Sequence, residues 1–79
     1  MPLPLESVPN IAEGRDADTL AALATAFASP ARLLDVHVDA DHHRSVFTLV
    51  GSRKELVTTL ARGIARAVER IDLRRHVGK

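Results

Sequence analysis

The sequence predicts an α+β fold, a small two-layer sandwich in which helices cover one face of a short β-sheet. Three observations favour this class. Apolar residues recur at helical spacing in two segments, they alternate at strand spacing in two segments between the helices, and a serine–glutamate capping signature precedes the second helix. With 79 residues, the chain is expected to form one domain, residues 1–79, near the lower size limit for independent stability.

A short, irregular first strand is expected from Leu3 to Val8. Pro4 interrupts this strand and Pro9 closes it, because proline has no amide hydrogen for the strand ladder. The first helix is expected from Asp16 to Ala28. Asp16 is a good N-cap, and Pro30 pushes the residue before it out of helical geometry.

Two further strands are expected at residues 32–38 and 44–50, joined as a hairpin by the polar turn 39–43. The first of them should be mostly buried. Alternate side chains of a strand point to opposite faces of the sheet. Because both helices cover one face, the prediction directs three apolar side chains out of the other face: Leu33, Phe47 and Leu49.

The second helix has the clearest signal in the chain. Gly51 ends the preceding strand, and Ser52 and Glu55 form an S-x-x-E capping box, in which each side chain accepts a hydrogen bond from the other residue's amide. The apolar spacing predicts a helix that ends near Leu73, with a mobile tail at residues 74–79.

The order β-α-β-β-α is that of a ferredoxin-like α/β sandwich whose last strand is missing or supplied elsewhere. In the complete plan the last strand lies beside the first one. We therefore expect an incomplete domain with an open first-strand edge, which pairs with a second copy of the chain or with a missing carboxy-terminal portion.

Composition excludes several classes of function. A net charge of +1 gives no reason to expect nucleic acid or an anionic membrane as a partner, and two phenylalanines without tyrosine or tryptophan offer few stacking platforms for RNA. Without cysteine the chain has neither disulfides nor a thiolate metal site. No leader-like segment or membrane-length apolar run is present, so we expect a soluble, cytoplasmic protein.

A dense set of titratable side chains follows Val36, and an apolar strand is expected to deliver it to one sheet edge. Nitrogen and oxygen donors for a metal are present, but adjacent histidines diverge on an extended chain, so no metal is expected. The sequence leaves a plain alternative open, an exposed turn whose aspartates accept hydrogen bonds from turn amides. The set comprises His37, Asp39, Asp41, His42, His43 and Arg44.

Four segments of the sequence together resemble one known family. The resemblance covers essentially the whole chain in order, and its most specific motifs are V-P-N-x-x-E-G and D-x-D-H-x-R. The family is that of the glutamate formimidoyltransferases, or formiminotransferases, and the similar part is their amino-terminal subdomain. The segments are Ser7–Arg15, Leu34–Val36, Asp39–Val46 and Ile71–His76.

This resemblance implies transfer of a formimino group from N-formimino-L-glutamate to N5 of tetrahydrofolate, a step of histidine degradation and one-carbon metabolism. The reaction takes place in a cleft between two similar subdomains, with tetrahydrofolate as the co-substrate. The family's catalytic histidine usually lies in a segment beyond the end of this chain, so the chain alone is expected to be inactive. The family more often has asparagine where His43 stands.

Such a transfer needs groups that accept and return a proton, and the pKa of histidine suits both tasks. We expect His42 to be catalytic with Asp39 in support. Arg44 is expected to bind a substrate carboxylate through two hydrogen bonds, or else to pair with a nearby aspartate. Expected substrate-binding residues also include Asp41 and His43 in the turn, and Asn10, Glu13 and Gly14 before the first helix.

An alternative from another class is a family remnant without catalysis. It would act as a small binding or self-association module through the edge of its first strand. Whichever function holds, the residues before the first helix can also be read as ordinary turn and capping residues, and His37 is expected simply to lie on the outward face of a strand.

Overall fold

The computed structural model describes the backbone of residues 4–77 and the side chains of residues 4–71. Within this range the protein is an α+β domain with a four-stranded antiparallel sheet and two helices, an arrangement compatible with a two-layer sandwich. Its elements are β1 (Leu5–Ser7), β2 (Asn10–Ile11), α1 (Ala17–Ala26), β3 (Arg32–Asp39), β4 (Arg44–Gly51) and α2 (Arg53–Val77).

Strand β4 is the centre of the sheet. β3 pairs along one edge of β4, while β1 and β2 pair with successive stretches of its other edge. Between those two stretches the Phe47 amide donates to the Pro9 carbonyl, at 3.1 Å. β1 and β2 therefore act as one strand interrupted near Pro9. A short first strand was expected, but its end at Pro9 is wrong, because Asn10 and Ile11 pair with β4 beyond the proline. The predicted start at Leu3 lies outside the described residues.

The first helix is capped as predicted. The Asp16 side chain accepts a hydrogen bond from the Thr19 amide at 3.1 Å, and the helix ends at Ala26, two residues earlier than expected, with Phe27 as its C-cap. Pro30 follows three residues after this cap, beyond the end of the helix.

The capping box of α2 is confirmed in both directions. The Ser52 amide donates to Glu55 Oε1 at 2.8 Å, and the Glu55 amide donates to Ser52 Oγ at 3.1 Å. The predicted end near Leu73 is wrong, because α2 continues to Val77. Arginine is a good helix former and is favoured at the negative end of the helix dipole, so the two arginines after Leu73 extend the helix. The rest of the predicted tail, residues 78–79, lies outside the described part.

The core lies between the sheet and the two helices. Phe27 of α1's C-cap and Phe47 of β4 are both fully buried, with ring centroids 4.8 Å apart. Helix α2 approaches Phe27 so closely that a Cβ on Gly63 would lie 2.0 Å from the ring. The buried apolar cluster comprises Ile11, Leu23, Phe27, Ala31, Phe47, Leu49, Leu56 and Ala67.

The predicted outward direction of Leu33, Phe47 and Leu49 is wrong. Phe47 and Leu49 are fully buried on the helix side, and Leu33 packs against the same cluster. The larger side chains of β4 fill the space beneath the helices, and its β-branched side chains lie on the other face of the sheet. An irregularity in register between Leu33 and Asp35 moves Leu33 to the helix side.

Strand β3 was also expected to be mostly buried, and it is mostly exposed. Only Leu33 and Asp39 are even partly buried, while Val36 and Val38 remain 36% and 43% exposed. β3 lies at the edge of the sheet and the helices pack over β4, so the outer strand receives little cover. No helix in the described part of the chain is both long and apolar enough to cross a bilayer.

Candidate functional site

The loop before α1 packs against the turn between β3 and β4. The Arg15 Nε donates to the Ala40 carbonyl at 2.9 Å, across 25 residues of sequence. A Cβ on Gly14 would lie 2.5 Å from the Arg44 amide nitrogen and 2.7 Å from the Asp39 carbonyl oxygen, so only glycine fits there. We call residues 12–16 together with residues 39–44 the loop–turn junction.

Asp39 and His42 form a close pair at the end of β3. The His42 ring is hydrogen bonded through Nδ1 to Asp39 Oδ2 at 2.7 Å, and the His42 amide donates to Oδ1 at 3.2 Å. The ring hydrogen bond lowers the pKa of the Asp39 carboxyl below its ordinary value, and the amide hydrogen bond adds to this effect. The Arg44 guanidinium lies 4.0 Å from the same carboxylate. The pair holds an exposed imidazole, 72% accessible, in a fixed orientation toward solvent.

Glu13 is fully buried within the junction. Its Oε2 accepts hydrogen bonds from the amides of Arg15 and Asp16, each at 3.0 Å, which organises the approach to α1. The same oxygen lies 3.8 Å from His43 Nδ1. The predicted substrate-binding residue Glu13 is thus turned into the protein, where it supports the loop and faces an imidazole.

His43 has an unusual backbone conformation. Its φ is 53°, in the left-handed region, which asparagine and histidine enter more readily than most residues. This requirement gives a backbone reason for the asparagine that the resembling family more often has at this position. The Nδ1 atom of His43 is buried and has no hydrogen-bond partner among residues 4–71.

Two other predicted residues are less tightly held. Asn10 is exposed on β2 and its side chain donates to the Val8 carbonyl at 3.2 Å. Asp41 is exposed at the tip of the turn. Sequence reasoning did not single out Arg15, whose signal was only its position after Gly14 in a recognisable motif. Six of the predicted site residues are in close contact within the junction, while Asp41 lies at its exposed tip. The six are Glu13, Gly14, Asp39, His42, His43 and Arg44.

The polar groups of the junction come from several kinds of side chain. In the part of the chain that the structure describes, no three histidine, cysteine, aspartate or glutamate side chains are grouped so as to hold a metal ion. The junction contains the carboxylate–imidazole pair of Asp39 and His42 and the partly exposed guanidinium of Arg44. The loop and the turn approach each other closely at Gly14. These groups can move a proton and bind an anion.

The fold and the junction therefore define a small α+β domain with a cluster of interacting polar side chains where a loop meets the turn between two strands. Comparison with known families matches residues 4–79 to the formiminotransferase domain, N-terminal subdomain. The chain belongs to this family, as the motifs in its sequence predicted.

Known relatives agree with this assignment. The chain is 40% identical over 77 residues to a glutamate formimidoyltransferase of Thermoplasma acidophilum and 39% identical to one of Streptococcus pyogenes serotype M1. It is 35% identical to a formimidoyltransferase-cyclodeaminase of Gallus gallus. Each match covers 95% of this chain, but only 25%, 26% and 14% of the respective relative. The chain thus spans about a quarter or less of each of these relatives.

Proposed function

We propose that this chain is one wall of a formimidoyltransferase site, where a formimino group passes from N-formimino-L-glutamate to tetrahydrofolate. The observation that carries the proposal is the packing of the V-P-N-x-x-E-G loop against the D-x-D-H-x-R turn. It places the two motifs of the family in one junction. Tetrahydrofolate is the co-substrate in this proposal, as the family of the relatives implies.

The reaction needs two proton movements. A bond forms between N5 of tetrahydrofolate and the formimino carbon, and the bond between that carbon and the glutamate nitrogen breaks. The attacking amine loses a proton, and the departing nitrogen gains one. Groups that bind protons near neutral pH suit both steps, and histidine is one of them.

The Asp39–His42 pair supports the catalytic part of the proposal. A carboxylate that hydrogen bonds one ring nitrogen orients the imidazole and stabilises its cation, while the other ring nitrogen remains directed outward. The 2.7 Å contact between His42 Nδ1 and Asp39 Oδ2 has this form. We propose that His42 exchanges the proton and that Asp39 positions His42.

Binding of the substrates is assigned to the surrounding residues. Arg44 is 54% exposed and offers a guanidinium to the glutamate carboxylates. Asp41 at the turn and Asn10 on β2 add hydrogen-bonding groups. We propose that Gly14 and the buried Glu13 act by holding the loop against the turn, and that His43 completes the inner side of the junction.

The second wall and a further histidine are proposed to come from additional polypeptide, because the relatives are about four times as long or longer. The structure of the described part fits a ferredoxin-like sheet that accepts one more strand. Within residues 4–77 no strand pairs with the outer edge of β1. We propose that this edge receives the additional polypeptide.

A chimera tests the proposed function. In the Thermoplasma acidophilum relative, the segment that matches this chain is replaced by residues 1–79, and formimino transfer to tetrahydrofolate is measured. We expect transfer by the chimera and none by this chain alone. The variant Asp39→Asn should lower kcat by at least tenfold, because the imidazole loses its anionic partner.

The controls separate folding from chemistry. Thr58→Ala changes an exposed residue on α2, far along the chain from the junction, and should leave kcat unchanged. Circular dichroism and gel filtration verify that each chimera is folded. A folded chimera without transfer activity, beside an active parent enzyme, would contradict the proposed function.

A second function is favoured by a separate observation, a set of exposed apolar residues on α2. Val57, Ile64 and Val68 of α2 are 63%, 49% and 55% exposed. They lie on the side of α2 turned away from α1, since other residues of α2 line the groove between the helices. We propose as the alternative a self-association module, in which a second copy covers this flank and the β1 edge.

A further inference from the structure

Two arginine side chains lie against the same short stretch of the turn between β3 and β4. Arg15 reaches this stretch from the loop before α1, and its Nε donates to the Ala40 carbonyl at 2.9 Å. Arg44 begins β4, and its Nη2 lies 4.0 Å from Oδ2 of Asp39, the residue before Ala40. The two guanidinium groups therefore come to neighbouring residues of one turn, although the arginines are far apart in the sequence.

The backbone segments that carry these arginines are held close together. A Cβ on Gly14, the residue before Arg15, would lie 2.5 Å from the Arg44 amide nitrogen and 2.8 Å from the Arg44 carbonyl oxygen. On the other side of the loop, the amides of Arg15 and Asp16 donate to the buried Glu13 carboxylate, each at 3.0 Å. A backbone fixed in this way limits how far the two guanidinium groups can separate.

Arg15 makes no ion pair with any residue whose side chain is described. Its hydrogen bond to Ala40 uses one of the five N–H donors of a guanidinium. Carboxylates of the same junction are engaged by other groups, Asp39 by His42 and Glu13 by backbone amides. Arg15 is exposed, so its remaining donors are accessible to a ligand. The loop–turn junction thus presents a permanent positive charge that is not neutralised within the described part of the chain.

Two guanidinium groups at a limited separation favour a ligand with two carboxylates over a ligand with one. A guanidinium binds a carboxylate through two parallel hydrogen bonds, and its planar shape sets the direction from which the anion approaches. Arg44 is 54% exposed, so it also has donors for a ligand besides its contact with Asp39. The proposed function uses only Arg44 in this way, and Arg15 offers the second binding group.

We infer that Arg15 is a further substrate-binding residue and that Arg15 and Arg44 together select a dicarboxylate of the length of glutamate. Each guanidinium binds one carboxylate, so the junction recognises a glutamate moiety and not the formimino group. The inference rests on the proposed function, in which N-formimino-L-glutamate and tetrahydrofolate each carry a glutamate moiety. Arg44 lies beside Asp39, so a dicarboxylate bound here is next to the proposed proton-exchanging pair.

The chain itself provides the first test, through its selectivity between two simple acids. Glutarate has two carboxylates and pentanoate has one, and their carbon chains are equally long. The ¹⁵N-labelled chain is titrated with each acid. We expect glutarate to shift the amide signals of Arg15 and Arg44, with a Kd lower than that of pentanoate by about fivefold or more. Equal Kd values, or shifts confined to the helices, would overturn the inference.

Variants of the chain separate binding from folding. In Arg15→Gln, glutarate should bind about as weakly as pentanoate, while pentanoate keeps its wild-type Kd because Arg44 is still present. Arg15→Lys retains the charge and should retain part of the selectivity. Equal weakening of both acids by Arg15→Gln would show that Arg15 only supports the loop, against the inference.

A matched control removes an arginine elsewhere on the surface. Arg53 is exposed and lies beyond the far end of β4, about 20 Å or more from Arg44 at the usual rise of a strand. Arg53→Gln should leave both Kd values unchanged. If Arg53→Gln lowered the selectivity as much as Arg15→Gln, the effect would come from net charge, and the assignment to Arg15 would be wrong.

The chimera described above identifies which glutamate moiety is bound. Arg15→Gln should raise either the KM for N-formimino-L-glutamate or the KM for tetrahydrofolate by about fivefold or more, with kcat changed by less than about twofold. The substrate whose KM rises is the one that Arg15 binds. If neither KM rises, the inference fails while the proposed function stands. An inactive chimera would contradict the proposed function, and the titration with glutarate then decides whether Arg15 binds a dicarboxylate.

Discussion

Gly14 stands where two backbone segments approach most closely. The Arg44 amide nitrogen and the Asp39 carbonyl oxygen leave no room for a Cβ, and backbone atoms cannot swing away as a flexible side chain can. Overpacking of this kind costs about 1–3 kcal/mol. The glycine of the V-P-N-x-x-E-G motif therefore holds the loop against the turn by its small size.

We predict that Gly14→Ala lowers the free energy of unfolding by about 1–3 kcal/mol, because the loop must move away from the turn. Urea denaturation followed by circular dichroism measures the change. Ala12→Ser alters an exposed residue of the same loop and should stay within about 0.5 kcal/mol of wild type. An unchanged urea midpoint in Gly14→Ala would show that the close approach is absent in solution.

The hydrogen bond from His42 is the main reason why the pKa of Asp39 is lowered. A carboxyl with a lower pKa in the folded state contributes stability above its unfolded pKa, about 3.9, and loses that contribution as the pH falls through the folded pKa. Acidification through this lowered pKa should therefore weaken the contact between Asp39 and His42 and remove its contribution to stability.

We predict that the Asp39 carboxyl titrates below its ordinary pKa in the chain and moves upward in His42→Ala, because its strongest hydrogen bond is gone. The ¹³C chemical shift of the carboxyl carbon, followed against pH, gives the midpoint. His37→Ala removes a histidine that makes no hydrogen bond or ion pair with Asp39 and should leave the midpoint in place. Equal midpoints in wild type and His42→Ala would refute the assignment of the cause.

At the scale of single elements, the stability of α2 depends on the hydrogen bonds at its N-terminus. Ser52 and Glu55 satisfy two amides that a helix otherwise leaves without partners. The helix is long, 25 residues, and Gly63 lies near its middle, where glycine is less favourable than alanine by about 1 kcal/mol. The fit of Gly63 against Phe27 explains why glycine is nevertheless present. A good N-terminal cap offsets part of that propensity loss.

Ser52→Ala should destabilise the domain by about 1 kcal/mol, since the hydroxyl acceptor of the Glu55 amide is lost. Thermal unfolding monitored at 222 nm provides the measurement. Ser52→Thr keeps an acceptor in place and should recover most of the stability, while Thr58→Ala on the exposed middle of α2 serves as the control. If Ser52→Ala had the same melting temperature as wild type, the capping box would make no contribution to stability.

In strand β3, position in the sheet determines burial more strongly than the apolar composition of the strand does. Its apolar residues suggested burial, yet Leu34, Val36 and Val38 are 53%, 36% and 43% exposed. The helices cover β4 and leave the outer strand largely bare. Asp35 on the other side of β3 adds a charge to an edge strand, which discourages pairing with further chains.

For the whole molecule, small size and exposed apolar surface lead to one expectation about association. A chain of 79 residues has a limited core, and the flank of α2 formed by Val57, Ile64 and Val68 adds apolar surface in contact with water. Covering such a patch is favourable, and an unpaired strand edge offers backbone hydrogen bonds beside it.

We predict that the isolated chain dimerises, and that its melting temperature rises with protein concentration, as binding to the native state requires. Analytical ultracentrifugation gives the oligomeric state. Val57→Lys with Val68→Lys should shift the equilibrium toward monomer, while Thr58→Lys, on another side of the same helix, should not. A monomer at all concentrations with strong resistance to urea would contradict this expectation.

The sequence by itself determined the features that depend on near neighbours. The cap at Asp16, the capping box at Ser52 and the hairpin around residues 39–43 need only a few residues each, and the motif residues were enough to identify the family. The sequence also indicated that an aspartate of the turn would lie near a histidine, but it left Asp39 and Asp41 open as the partner, and the structure shows that Asp39 contacts His42.

Only the tertiary structure decided which face of the sheet meets the helices. Alternation along β4 defines two sets of side chains, and the volume beneath Phe27 selects the larger set for burial. The register shift near Leu33 then moves that residue to the same side. The burial of Glu13 beside His43 likewise joins residues 30 positions apart. Such contacts depend on how segments that are distant in sequence pack together, and a local sequence pattern does not contain this information.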